Sequence, residues 1–293
     1  MKILTKLFSQ TLTIAVLILA ISATGAMAAT FTAATNGDWG NAATWTLNSG
    51  TDADGIPDAD DTATIPSGRI VTVSSAQSVQ NLTVNGGGTL TINGGAVLTL
   101  SGAAPSSSFT NSGTTNGAGI FRTQGTSSFT ISGTFTAALE IGGTTSASSS
   151  TIGGSVTILS SATLQITNQT ITVNGDLIVN NGGLINSSSN NGVFNANGAN
   201  VVNNGSITVG SLRFGGTTNL SGAGIFTGNI QILGGSVTTL TGNVTFGNGV
   251  ATTSFSVNGG GTLAVGGNTL TLNGVGFTNN GTSTGTGSIR TQG

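Results

Sequence analysis

The chain has 293 residues, and only 5% of them are charged, against roughly 25% in an ordinary soluble domain. It contains 49 Gly and 12 Phe but no Cys, His or Tyr, and its formal net charge is −2. This composition excludes a disulfide framework and any mechanism built on a histidine base, and it provides no clustered basic surface for nucleic acid.

Residues 1–28 read MKILTKLFSQTLTIAVLILAISATGAMA. Lys2 and Lys6 give a positive start, residues 14–21 an unbroken apolar run, and Ala26-Met27-Ala28 an A-x-A cleavage pattern. The apolar run is far shorter than the ~20 residues that span a bilayer. These features predict a signal peptide over 1–28, export, and no membrane span once it is removed. Both lysines leave with it, so the net charge moves from −2 to −4.

Residues 29–69 form the next unit, an N-terminal cap with an acidic loop. It holds both tryptophans, Trp39 and Trp45, and the loop DADGIPDADD at 52–61, which carries five of the chain's eight carboxylates. Aromatic faces can stack on sugar rings, and large aromatics can equally plug the open end of a repeat array. The spacing places both tryptophans just before the repeats, which favours the plug. The acids Asp52, Asp54, Asp58, Asp60 and Asp61 alternate around Gly55, and the run is similar to thrombospondin-type and EF-hand-like calcium loops. Ca²⁺ takes six to eight oxygens, and alternating carboxylates about a tight turn can converge on one ion. An EF-hand closes with a glutamate at position 12, where this chain has Ala63, and thrombospondin-type repeats carry cysteines that this chain lacks. The competing reading is a solvated loop whose turn Gly55 and Pro57 already explain. Calcium here would be structural; no other cofactor is expected.

From residue 70 the pattern becomes uniform. IVTV (70–73), NLTV (81–84), TLTI (89–92), VLTL (97–100), TITV (170–173) and TLTL (269–272) alternate apolar with Thr or Ser between Asn/Gly clusters. Period-two alternation rich in β-branched residues predicts short strands, and the Gly and Asn clusters predict turns. Segments also recur: NGGGTL at 85 and 258, GGSVT at 153 and 234, and GAGIFRTQG at 117 echoed by GTGSIRTQG at 285. These three recurrences fit a unit of roughly 81–86 residues, single or doubled. The return of GAGIF, from 117 to 222, does not fit it. Short, numerous, evenly spaced strands predict an all-β parallel solenoid over 70–293. With a coil of about 20–24 residues, it would have about ten or eleven coils stacked at ~4.8 Å. Stacked asparagine ladders are expected at the turns.

The segment GDWGNAATW (37–45), the acidic loop, Ile65-Pro66-x-Gly68, and GGGTLTINGGAVLTLSG (86–102) resemble the opening of bacterial secreted β-strand-repeat proteins. In those adhesin-like proteins a Trp-containing segment precedes a right-handed parallel β-helix of the pectin-lyase-like type. The resemblance implies an extracellular or cell-surface protein and names no ligand.

Outside the loop only Asp38, Glu140 and Asp176 remain as carboxylates. Polysaccharide cleavage needs two acids ~5–9.5 Å apart, and the separation of Glu140 and Asp176 along the chain is not an evident multiple of a coil. The runs around Arg122, Arg213 and Arg290 contain no neighbouring acid. The Gly-rich strings lack the Lys and the helix of a phosphate loop. Thr89/Thr91, Thr134/Thr136, Thr170/Thr172 and Thr269/Thr271 are too scattered for a flat ice-binding face. The expectation is therefore a non-enzymatic structural or adhesive solenoid, with a surface, matrix or glycan ligand and self-association through weakly charged coil ends. The alternative is a polysaccharide-binding or polysaccharide-degrading β-helix. The chain stops within a repeat, so a longer protein is expected.

Overall fold

The computed structural model describes residues 27–102, 106–187, 191–249 and 253–292. The predicted signal peptide lies outside them except for Met27 and Ala28. Among the described residues there are 35 strands and a single 3-10 turn, Ala42–Thr44. The strands stack as a parallel β-solenoid of about 11 turns. No described helix is long and apolar enough to cross a membrane.

Register carries the architecture. On one face Phe31, Ala63, Leu82, Phe109, Phe129 and Ala147 are successive Cα partners, each one layer above the last. On another, Leu98, Phe121, Leu139, Val156, Leu177, Val201, Leu220 and Leu240 form a second column. Every member of both columns is buried. Because side chains alternate across a strand, in-register stacking puts all the apolar positions inside and the intervening Thr and Ser outside. Each fully buried Leu, Val or Phe contributes about 1.5–3 kcal/mol over exposure.

The strands divide into sheets of 19, 5 and 11. The largest covers two faces in its upper part, because Ser206–Phe214 and Ile225–Ile232 run through a corner without a break. Their mutual register slips between Thr208 and Ser211, which marks that corner. Phenylalanines cluster in the interior: the Phe109 and Phe121 ring centroids lie 4.3 Å apart, and Phe226, Phe246 and Phe255 follow at 5.4 and 5.0 Å.

Three sequence expectations change. Coil length is not uniform: the step from Leu139 to its partner Val156 is short, and the step from Asn81 to Ser108 is long, so the spread exceeds the expected range on both sides. Among the described residues asparagines meet in single steps, Asn197 to Asn174 at a turn and Asn219 to Asn200 within paired strands, and not in long ladders at the turns. Arg122 does have an acid: Glu140, its Cα partner one coil above, accepts from Nε at 2.7 Å and pairs with the guanidinium at 2.6 Å.

The recurring G-x-G strings are also explained. Gly117, Gly222 and Gly285 adopt φ of 108°, 110° and 108°. A Cβ on Gly117 or Gly222 would collide with the carbonyl oxygen of the coil below, at Ile92 and Asn203. The string is a tight corner that any coil can use, so the return of GAGIF at 222 needs no larger repeat. Gly117→Ala adds a backbone collision to a strained φ, each effect of order 1–3 kcal/mol. Gly68 also has positive φ, at 76°, but open space around it. Gly117→Ala should therefore lower the urea midpoint clearly more than Gly68→Ala, as equilibrium unfolding of the two variants will measure.

Candidate functional site

The N-terminal cap is built where the parallel stack has no coil beneath it. Met27–Ala33 pairs in parallel with Thr62–Ile65 above and antiparallel with Trp45–Thr51 below. This is the one antiparallel pairing among the described strands. Gly37–Asp38 forms the edge of the five-stranded sheet, against Val71 and Thr72.

Both tryptophans point into this end. Trp39 is fully buried and Trp45 is 7% exposed, with ring centroids 4.9 Å apart in an edge-to-face arrangement. Trp39 Nε1 donates to the Pro57 carbonyl at 3.1 Å, and Trp45 Nε1 to the Trp39 carbonyl at 2.8 Å. Each polar handle is satisfied within the cap, so the rings act as a plug and Trp39 presents no face to a sugar.

The acidic loop folds back over the plug. Asp52 Oδ2 accepts from the backbone N–H groups of Asp54, at 3.0 Å, and Gly55. Asp54 Oδ1 accepts from Ile56 N at 2.9 Å, and Asp58 Oδ1 from Asp60 N at 3.2 Å. Asp61 differs from the rest: it is 2% exposed. Its Oδ1 accepts from Ala29 N at 2.6 Å and its Oδ2 from Asp58 N at 2.9 Å, while its carbonyl receives Gln80 N and Asn81 N, both at 3.0 Å. It thereby ties the first strand, the loop and the next coil together.

Of the five predicted ligands, Asp52, Asp58 and Asp61 each bring a carboxylate oxygen within 4.8 Å of the others. Asp54 and Asp60 are not part of that group. Three such oxygens could share a divalent cation, with carbonyls or water completing its six to eight contacts. The carboxyls of Asp58 and Asp61 both lie above the ordinary 3.8. For Asp58 the foremost cause is its hydrogen bond with the Asp60 side chain, then burial. For Asp61 it is burial, opposed by the N–H groups of Ala29 and Asp58.

The remaining acids are bound up in local structure. Asp38 accepts from Gly40 N at 2.9 Å, and Asp176 accepts from the backbone and side chain of Asn200, one coil on, at 2.9 and 3.1 Å. Glu140 is aligned with Ile178 two coils above, through Thr157, so Asp176 sits near a two-coil step from it. Sequence spacing alone hid that relation because the two intervening coils, Glu140 to Thr157 and Thr157 to Ile178, differ in length.

Comparison with protein-family models, with curated proteins and with solved structures finds no match.

A cation shared by Asp52, Asp58 and Asp61 would raise the melting temperature, and Asp58→Asn would remove the rise; a calcium titration of thermal unfolding reads both. Acid has a defined sign in the chain whose Ala28–Ala29 bond is intact. Folded-state values above 3.8 mean that the folded chain holds protons more tightly than the unfolded one. This contribution is fully present below 3.8 and is lost as pH rises through the folded values. Wild type should accordingly gain on Asp61→Asn, whose amide cannot titrate, as pH falls from about 7 to 4. Unfolding of the pair across that range checks it.

Proposed function

We propose that the chain is an exported, non-enzymatic structural solenoid, serving as the stalk or passenger segment of an adhesin-like surface protein. The observation that supports this reading most is the continuous in-register stack, in which Asp38, Glu140 and Asp176 are each engaged in a turn or a cross-coil pair. No pair of them is left facing a cleft as acid and base. About 11 turns at ~4.8 Å each make a rod of roughly 50 Å, whose stiffness comes from backbone hydrogen bonds along its whole length. Such a rod holds apart whatever it joins.

One observation favours the second reading, a polysaccharide-binding β-helix. A shallow groove on the outer surface is lined by Ser132, Ser149, Ser150, Thr151, Thr170 and Thr172. It offers hydroxyls and no carboxylate, which suits holding a glycan and not cutting one.

Expression of the whole chain in a secreting bacterial host should place it outside the cytoplasm, and small-angle scattering should give an elongated particle. Incubation with polysaccharides should release no new reducing ends. Release of reducing ends would overturn the non-enzymatic reading. Glycan-array binding lost on Thr151→Trp but kept on a distant face would shift the assignment to the second.

A further inference from the structure

The cap contains a buried carboxylate that forms no ion pair with a cationic side chain among the described residues. Asp61 is only 2% exposed, and among the described residues its carboxylate is met by two backbone N–H groups, those of Ala29 and Asp58. The ion pair found among the described residues, Arg122–Glu140, lies several coils away. Asp52 and Asp58 add further negative charge within 4.8 Å. A carboxylate held by neutral donors alone carries a large desolvation cost, which a positive partner relieves.

The nitrogen at 2.6 Å from Asp61 Oδ1 belongs to Ala29, the residue that follows the A-x-A pattern of Ala26-Met27-Ala28. Ala29 is itself 1% exposed. The antiparallel pairing with Trp45–Thr51 loses its regular register between Met27 and Thr30, so the Ala28–Ala29 bond lies in an irregular stretch of the first strand. Parallel pairing of that strand runs regularly from Thr30 and antiparallel pairing from Phe31, after a second register shift between Thr30 and Phe31, so the regular part of both lies beyond Ala28.

We propose that cleavage after Ala28 turns the Ala29 nitrogen into the mature α-ammonium, and that this ammonium docks on Asp61 as the ion pair that closes the cap. The proposal rests on the export reading above. A signal peptidase adds water across the Ala28–Ala29 amide: the C–N bond breaks, the water oxygen joins Ala28, which leaves as a carboxylate, and the Ala29 nitrogen takes up both water protons and becomes –NH₃⁺. One neutral N–H is thereby replaced, at the same atom, by a charged group with three donors beside Asp61, whose carboxylate lies within 4.8 Å of those of Asp52 and Asp58. The cation these acids lack is supplied by the chain's own processing, and the cap reaches full stability only after the leader is gone.

The composition makes the test direct. Lys2 and Lys6 are the chain's only lysines, so the mature α-amine is its only amine and acetylation reports on it alone. The full precursor is secreted, and the mature protein is treated with the N-hydroxysuccinimide ester of acetic acid, native and in urea. Intact mass should give Ala29 as the first residue. The native amine should react at least about tenfold more slowly than the unfolded one, and Asp61→Asn should abolish most of that protection. Acetylation of unfolded and refolded wild type should lower the melting temperature by about 2–4 °C. Equal native and unfolded rates in wild type would overturn the docking and leave the export reading in place, and this comparison stands even if Asp61→Asn fails to fold. Unchanged protection in a folded Asp61→Asn, or a different first residue, would overturn it too. A chain that keeps its leader and stays in the cytoplasm would overturn the export reading beneath it.

Discussion

The structure depends on one constraint: each coil must place its inward residues directly over those of the coil below while its backbone N–H and C=O groups bond across the same gap. A slip by one residue would turn Leu98, Phe121 and Leu139 outward and their Thr neighbours inward. The corners absorb every other irregularity. The coil from Asn81 to Ser108 is much longer than the one from Leu139 to Val156, yet the strands paired at both keep their register. This is why glycine, free to take φ near 108° at Gly117 and Gly285, recurs so often at the ends of strands.

A stack stabilised by nearest neighbours is weakest where a neighbour is missing. At the N-terminal end the missing coil is replaced by three devices. An antiparallel strand covers the open hydrogen bonds of Met27–Ala33, the Trp39–Trp45 pair fills the apolar interior, and Asp61 ties loop, first strand and second coil. These parts are unlike the repeats because they do a different job. Polar and aromatic residues gather where the repeated Thr/Val alternation cannot close the structure.

That division sets what could be read in advance. Strand identity and inward facing were legible because both follow from period-two alternation, as in TLTI at 89–92, where Leu90 and Ile92 are buried. The tryptophan plug was legible from size and position. The Arg122–Glu140 pair was not, since the two become neighbours only once the length of the coil between them is known. The acidic loop was legible as a cluster but not in its inequality. Nothing local distinguishes Asp61 from Asp60; its burial comes from Ala29 and from Gln80 and Asn81, which sequence distance hides.

Charge follows the same division along the rod. Residues 29–69 hold six acids, Asp38 and the five of the loop, against Arg69 alone, a balance of −5; residues 70–293 hold Glu140 and Asp176 against Arg122, Arg213 and Arg290, a balance of +1. The negative charge is therefore concentrated at the N-terminal end, beside Trp45–Thr51, whose outer edge is the outermost row of that end and whose residues after Trp45 are exposed. An exposed strand edge invites pairing with another chain, and like charges close to it oppose that pairing. Two copies approaching cap to cap would bring two such −5 clusters together within about a Debye length, ~8 Å at physiological salt. Residues 70–293 carry only five charged side chains, so this electrostatic guard is confined to the N-terminal end, and the expectation of association through weakly charged coil ends does not extend to the cap.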